Sequence, residues 1–361
     1  MPIMIDMFSD TVTRPTPGMY EAMVSAEIGD DMSALDPTVN RLEAMACEML
    51  GKEAAVFACS GTQSNQMGVK THCNPGDELL IETRGHIANF EAGGPAALSG
   101  VTCRQIPGHN GMLDIEQLEG MIRADNQHLC ITRLLCLENT TNSGGGRAYP
   151  IEQVERVCGW AHDNGLKVHV DGARLFNALV ATGYSPAEFA QHVDTISICF
   201  SKGLGCPMGS ILVGSGEDIR KARRIRKLFG GALRQAGVVA GAAVYALENN
   251  IERMEVDHQN AKAFAEAISG IDGIQIDVDE VETNLVFFEV DPQLGDATQL
   301  STKLRENGVK IGAAGQYRLR ACTHLDVDRD QVLQAAETVQ QCVQEGFADL
   351  VGSATGPYAR G

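Results

Sequence analysis

Val168-His169-Val170-Asp171-Gly172-Ala173-Arg174, followed further along by Ile196-Ser197-Ile198-Cys199-Phe200-Ser201-Lys202, decides the architecture. Each stretch reads as a buried strand whose last residue is charged, since a mainly apolar run of this kind needs cover on both faces. The interval between them accommodates one helical crossover, as two strands of a parallel sheet require. Asp171 and Lys202 then emerge near the carboxyl edge of that sheet, where open α/β folds bind ligands. A carboxylate that can protonate a pyridine nitrogen, near a lysine that can form a Schiff base, is the arrangement that pyridoxal phosphate (PLP) chemistry requires.

Outward from this pair the chain alternates between strand and helix from residue 54 onward. Strands are expected at 54–58, 78–82, 134–138 and 210–214, and helices at 62–69 and 151–164. Upstream, Asp36-Pro37 opens a helix with Val39, Leu42, Met45, Met49 and Leu50 on one face and Asp36 as its N-cap. The composition changes after Gly231. A long Ala-rich helix over 238–253 leads into strands near 274–277 and 284–290 and helices at 297–307 and 329–344. The expected layout is an irregular arm over 1–17, a large α/β domain with a mostly parallel sheet over 18–247, a small α+β domain over 248–350 and a disordered tail over 351–361.

Composition narrows the function. A net charge of −18 and a pI near 4.9 exclude nucleic acid as a partner, because phosphate binding needs a cationic footprint. The basic run Arg220 to Lys227 reads as a solvated helix face or a subunit contact. The amino terminus lacks a basic leader and no apolar run reaches membrane-spanning length, so a cytoplasmic protein without membrane contact is expected. Eleven cysteines without a Cys-x-x-Cys pair read as reduced thiols, with no metal site.

Several residues join Asp171 and Lys202 as site candidates. Ser60-Gly61-Thr62 follows a strand and opens a helix, so its N–H groups and the Thr62 hydroxyl can hold a phosphate at the positive helix end. Taken alone, the tripeptide reads sooner as a simple N-cap with a tight turn; beside Asp171 and Lys202 it gains weight as a phosphate cup. Arg174, three residues after Asp171, can point back to the same crevice and hold a carboxylate or the cofactor's phenolic oxygen. Gly85-His86 and Glu91-Ala92-Gly93-Gly94 form another candidate wall, where an imidazole can stack on a pyridine ring. His128 precedes the strand near Leu134 and is a further candidate.

With these residues in place the chain resembles the threonine aldolases, in the aromatic amino acid β-eliminating lyase and threonine aldolase group of fold-type I PLP enzymes. The matching stretches include Ser9-Asp10-Thr11-Val12-Thr13-Arg14-Pro15, Gly29-Asp30-Asp31, Ser60-Gly61-Thr62, Leu137-Glu138-Asn139-Thr140, His169 to Ala178, Ser201 to Gly205, Arg234-Gln235-Ala236-Gly237 and Thr323-His324-Leu325-Asp326. The resemblance implies a large domain of PLP-dependent transferase type with a seven-stranded sheet. It implies Lys202 as the Schiff-base lysine, Asp171 as the partner of the pyridine nitrogen, Gly61 and Thr62 as the phosphate cup and His86 as the stacking imidazole. Arg174 and Arg320 would grip the substrate carboxylate with Ser9 nearby, His128 would lie close to the β-hydroxyl, and Arg234 would reach a cofactor phosphate. The group forms homotetramers with sites shared between chains. Two departures stand out: Met32-Ser33-Ala34-Leu35 replaces a common Tyr-Gly, and Thr141 replaces a common His.

The reaction implied is retro-aldol cleavage of a β-hydroxy-α-amino acid, L-threonine or L-allo-threonine by default, to glycine and an aldehyde. His86, His128 or an ordered water would take the hydroxyl proton. The alternatives are β-elimination and cleavage of another substrate such as phenylserine. A nucleotide-binding α/β protein is disfavoured by the lack of the glycine-rich phosphate motifs, and a silent cofactor-binding scaffold by the presence of the Lys, Asp and Arg set.

Overall fold

The computed structural model describes residues 4–352. The chain divides into two compact units, Arg14–Glu252 on one hand and the residues up to Thr13 with those from Arg253 onward on the other. The break at Glu252 falls a few residues beyond the expected one at 247, and most of the expected tail, 353–361, lies outside the described residues.

The larger unit is built on a seven-stranded sheet: β1 (Ala54–Ala58), β2 (Asp77–Glu82), β3 (Thr102–Ile106), β4 (Ile131–Glu138), β5 (Lys167–Asp171), β6 (Thr195–Cys199) and β7 (Ser210–Gly214). Their order across the sheet is β1-β7-β6-β5-β4-β2-β3. Only β7 runs against its neighbours, β1 and β6, and all other pairs are parallel. Two reversals around β7 make β1 point the same way as β6. The carboxyl ends of β1, β2, β4, β5 and β6 therefore share one edge of the sheet.

β5 and β6 are adjacent and in register, with His169 opposite Thr195 and Asp171 opposite Ser197. Helices Leu175–Thr182 and Pro186–Ala190 form the crossover between them. Asp171 is the last residue of β5, whereas Lys202 lies three residues past Cys199, the end of β6. Phe200 ends the strand-like course: its N–H donates to Gly209 O at 3.0 Å and its carbonyl accepts from Cys206 N at 3.0 Å. That pairing closes the turn back into β7 and leaves Lys202 within it.

Local chemistry accounts for the helices that cover the sheet. Asp36 caps helix Pro37–Leu50, accepting from Val39 N at 3.0 Å, and also takes the N–H groups of Gly29 and Gly237 at 3.2 and 2.9 Å. Helix Gly61–His72 buries Met67 against Val56 and Leu212 on one side, and Val69 against Leu79 and Leu134 on another. Edge strand β3 was not expected; its Thr-Cys-Arg-Gln-Ile sequence is half-exposed and carries no apolar run.

The smaller unit packs helices Met254–Ile268, Ala297–Glu306 and Arg329–Glu345 on a four-stranded antiparallel sheet, with Phe264, Phe288, Leu300 and Val332 in its core. The amino-terminal arm is not irregular throughout. Ile5–Asp6 forms a short parallel strand with Val309–Lys310, and Lys310 Nζ pairs with Asp6 Oδ2 at 2.9 Å.

Among the described residues no helix is long and apolar enough to cross a membrane. All eleven cysteines are free thiols, Cys136 and Cys199 buried and Cys59 half-buried.

Candidate active site

The shared carboxyl edge gathers most of the candidates of the larger unit. Helix Gly61–His72 starts there directly after β1, capped by Ser60 Oγ, which accepts from Gln63 N at 3.2 Å. The N–H groups of Gly61 and Thr62 sit in the first turn, where no carbonyl four residues back is available to them. A side chain at Gly61 would overlap the sulfur of Cys199. Glycine here therefore lets the helix end seat directly on β6. A buried hydroxyl cluster holds it in place, with Ser64 Oγ bonded to the hydroxyls of Ser197 and Ser210. Ser60 and Thr62 also border a cavity of about 730 Å³ shared with Gln66, Leu98 and Phe229, whose lining does not include His86, Asp171, Arg174 or Lys202.

Asp171 is buried at the end of β5. Its Oδ2 accepts from Asn65 Nδ2 and its Oδ1 from Ala173 N, at 2.8 and 3.1 Å. Asn65 Nδ2 donates equally to Glu91 Oε1 at 2.8 Å, and Gln66 Nε2 donates to Glu91 Oε2 at 2.6 Å. Glu91 in turn accepts from His86 Nδ1 at 2.9 Å. The nearest ligating atoms of His86, Glu91 and Asp171 lie within 4.8 Å of one another, a spacing a cation can bridge, but Asn65 and His86 already donate to these carboxylates.

Glu138, the last residue of β4, stands in register with Asp171 and accepts from the backbone N–H groups of His86 and Asn142 at 2.7 and 2.5 Å. Burial first, and the Asp171 charge second, push its carboxyl up to about 7. Burial alone would lower the His86 imidazole, but the bond to Glu91 and the charges of Asp171 and Glu138 outweigh it and raise the pKa above the ordinary histidine value. Arg174 is buried and donates from Nη1 to Asn142 Oδ1 at 3.2 Å. Gly61, Thr62, His86, Asp171 and Lys202 thus leave the sheet at one edge, with Arg174 three residues past Asp171.

Two candidates of this unit lie elsewhere. His128 is exposed on the turn that enters β4, with its N–H on Asn126 Oδ1 at 2.9 Å. The eight-residue β4, at about 3.3 Å per residue, separates it from the Glu138 end by roughly 25 Å. Its own chain therefore does not bring His128 to Asp171; its place before the strand puts it at the amino edge. Arg234 is exposed and paired with Asp30 Oδ2 at 2.9 Å. Of the departures from the family pattern, Met32 and Leu35 are exposed, while Thr141 is buried and closes the 141–147 loop through Arg147 N, at 3.2 Å from its hydroxyl.

Arg320 and Ser9 belong to the smaller unit and come together there. Arg320 is buried on its sheet and donates from Nη2 to Phe8 O at 3.3 Å, one residue before Ser9. Ser9 Oγ accepts from Thr11 N at 3.2 Å and caps the turn Asp10–Val12.

Asn65 and Gln66 escaped the sequence reading, and Glu138 stood there only within a matching stretch, without a role. The signal for the first two was the polar run Ser64-Asn65-Gln66 on a helix that must be covered on both sides by its position between strands, and all three are buried.

The family model described as beta-eliminating lyase matches residues 6–291. The chain belongs to the beta-eliminating lyase family. A low specificity L-threonine aldolase of Escherichia coli K12 is 42% identical over 334 residues, covering 92% of this chain and 97% of that protein. A probable low-specificity L-threonine aldolase 2 of Arabidopsis thaliana is 41% identical over 344 residues, covering 93% and 97%. The solved Leishmania major threonine aldolase superposes with a TM-score of 0.81 at 20% identity, over 94% of this chain and 99% of that one. The fold-type I architecture implied by the family resemblance is the one found.

The residues present fit a phosphorylated pyridine carrying an aldehyde. First-turn N–H groups suit the phosphate, the buried Asp171 carboxylate suits a protonated ring nitrogen, and Lys202 in the turn beyond β6 carries an amine that suits the aldehyde.

Proposed function

We propose that this chain is a PLP-dependent aldolase that cleaves a β-hydroxy-α-amino acid, by default L-threonine or L-allo-threonine, to glycine and an aldehyde. The observation that carries the reading is the buried Asp171, hydrogen-bonded by Asn65, at the same sheet edge as the Gly61–Thr62 helix end and the Lys202 turn. The relatives' identity of 41–42% over more than nine tenths of the chain supports the choice of reaction.

When bound, PLP supplies an electron sink for the pair released as the Cα–Cβ bond breaks. The chain's own residues then divide the remaining work. Lys202 would hold the cofactor covalently, the N–H groups of Gly61 and Thr62 its phosphate, and Asp171 the proton on its ring nitrogen. His86 commits Nδ1 to Glu91, so it would present its ring face and Nε2 to the crevice. Arg174 would bind the substrate carboxylate or the phenolic oxygen. Fixing the carboxylate sets the angle of the scissile bond, the kind of orientation that contributes most where a bond must align with a π-system. His86 or an ordered water would take the hydroxyl proton. His128, exposed and at the amino edge, would serve only a site completed by another subunit, as would Arg234. The working form in this reading is a cytoplasmic homotetramer with shared sites, the tetramer being what the family resemblance implies.

The test is release of glycine and aldehyde by purified protein from L-threonine and L-allo-threonine, with Lys202→Ala as control. Lysine-dependent release supports the reading and gives the stereochemical preference. Keto acid and ammonia in place of glycine would assign β-elimination, and near-full activity in Lys202→Ala would sink the site.

A further inference from the structure

Behind Asp171 runs a buried chain of polar groups that no step above uses. Asn65 Oδ1 lies 3.3 Å from His169 Nε2, His169 Nδ1 lies 2.9 Å from Thr195 Oγ1, and Thr195 Oγ1 lies 3.0 Å from His72 Nε2. Asn65, His169 and Thr195 are buried, and His72 is half-buried at the far end of the same helix. Room for the imidazole comes from Gly68, where a side chain would overlap the His169 ring. A glycine inside a helix costs about 1 kcal/mol relative to alanine, so the helix gives up stability to admit this ring.

We propose that Asn65 is a positioning residue for Asp171, its carboxamide held in a single orientation by the chain of His169, Thr195 and His72 behind it. The directions of the bonds follow from chemistry. Asn65 faces two carboxylates, Asp171 and Glu91, at 2.8 Å each, so its NH₂ group points to them and its carbonyl points back. A carbonyl only accepts, so His169 donates from Nε2. Burial holds His169 neutral, with its pKa down at about 3 against the opposing pull of the Thr195 backbone, so it has one ring proton; with that proton given to the Asn65 carbonyl from Nε2, Nδ1 accepts from the Thr195 hydroxyl. Thr195 oxygen then accepts from His72 Nε2. Every donor has one acceptor, and a flip of the Asn65 amide would put a carbonyl against two carboxylates and an NH₂ against an N–H. The consequence at the site is that Asp171 remains an acceptor, oriented for a pyridine N–H.

The role at the ring nitrogen rests on the PLP reading, while the bond directions do not, and the experiment separates them. Long-range ¹H–¹⁵N spectra of histidine-labelled protein, with and without PLP, are expected to find His169 neutral with its proton on Nε2. With ring-labelled [¹⁵N]PLP, the pyridine nitrogen of the holoenzyme is expected in its protonated shift range. Asn65→Leu should move it towards the unprotonated range and weaken PLP binding by about 10- to 100-fold, the scale of lost hydrogen bonds to charged groups. Thr195→Val, a near-isosteric change that decides the matter if Asn65→Leu does not fold, removes the hydroxyl behind His169 and should move the pyridine shift and PLP affinity in the same direction by a smaller amount. An Nδ1–H tautomer in the parent protein overturns the proposal. So does an unchanged pyridine shift and PLP affinity in folded Asn65→Leu or, where that variant does not fold, in Thr195→Val. A parent protein that binds no PLP removes the functional reading and the Asp171 role with it, and the cofactor-free spectra still decide the bond directions.

Discussion

Replacing His169 with Gln is expected to change how the stability of the larger unit depends on pH. Above pH 6.5 the imidazole is neutral in both the folded and the unfolded chain, so it contributes no pH dependence. Below pH 6.5 the unfolded chain takes up a proton, whereas the folded chain, with this group pushed down to about 3 chiefly by burial, does not. Stability is therefore lost as pH falls across this window. An unfolded histidine gains roughly 2.1 kcal/mol by protonation at pH 5 and roughly 0.2 kcal/mol at pH 7, so this residue alone weakens the fold by about 2 kcal/mol between the two. Gln retains a donor for Asn65 but cannot titrate. Whatever packing it loses at pH 7, its deficit relative to the parent should shrink by about 2 kcal/mol at pH 5. Trp160, the only tryptophan, lies on helix Ile151–Asp163 of the larger unit, so its fluorescence in urea titrations at pH 5, 6, 7 and 8 follows that unit. A gap between parent and variant that stays constant across these pH values would refute a neutral, doubly bonded His169.

Other substitutions probe other links. Gly68→Ala should destabilise the protein by about 1–3 kcal/mol despite alanine's better helix propensity, because the methyl displaces the His169 ring; an unchanged or higher melting temperature would contradict this. Asp36→Ala removes one acceptor from three backbone donors, Val39, Gly29 and Gly237, and should cost more than the roughly 1 kcal/mol of an ordinary N-cap, read from the same urea curves. Gly61→Ala should weaken PLP binding at least tenfold by lifting the helix end off Cys199, and titration of cofactor-free protein with PLP checks it. Lys202→Ala should abolish nearly all turnover while His128→Ala retains a measurable rate, since His128 lies on the turn before β4 and even a lost general base typically costs about 10²- to 10⁴-fold; steady-state glycine release compares them.

The parts of the fold that were legible in the sequence carry their instructions locally. Asp36-Pro37, the apolar runs ending at Asp171 and before Lys202, and the Ser60-Gly61-Thr62 turn each state a cap, a buried strand or a helix start in a few residues. Strand β3 did not, because Arg104 and Gln105 at a half-exposed edge have no apolar pattern to obey. Lys202 was placed within its strand because Phe200 reads as core; the backbone pairing of Phe200 with Gly209 and Cys206 that ends the strand leaves no mark on composition. Asn65 and Glu138 were illegible for a different reason. Their roles arise from partners such as Asp171, 106 residues from Asn65, and a polar residue in a helix gives no sign of which distant carboxylate it serves. His128 preceded a correctly expected strand, yet strand direction, known only from the sheet, sets which edge it occupies.

The pairing of Ile5–Asp6 with Val309–Lys310 sets a schedule for synthesis. Asp6 leaves the ribosome before its partner Lys310, which follows only 304 residues later, a wait of roughly 15–60 s at 5–20 residues per second. Throughout that interval Arg14–Glu252 is contiguous and can fold as it emerges, while the first dozen residues carry an unpaired strand with Met7 and Ile5 uncovered, both buried in the finished protein. The nascent chain therefore carries a sticky segment until Val309 and Lys310 are made, and translation pauses ahead of them lengthen the exposure.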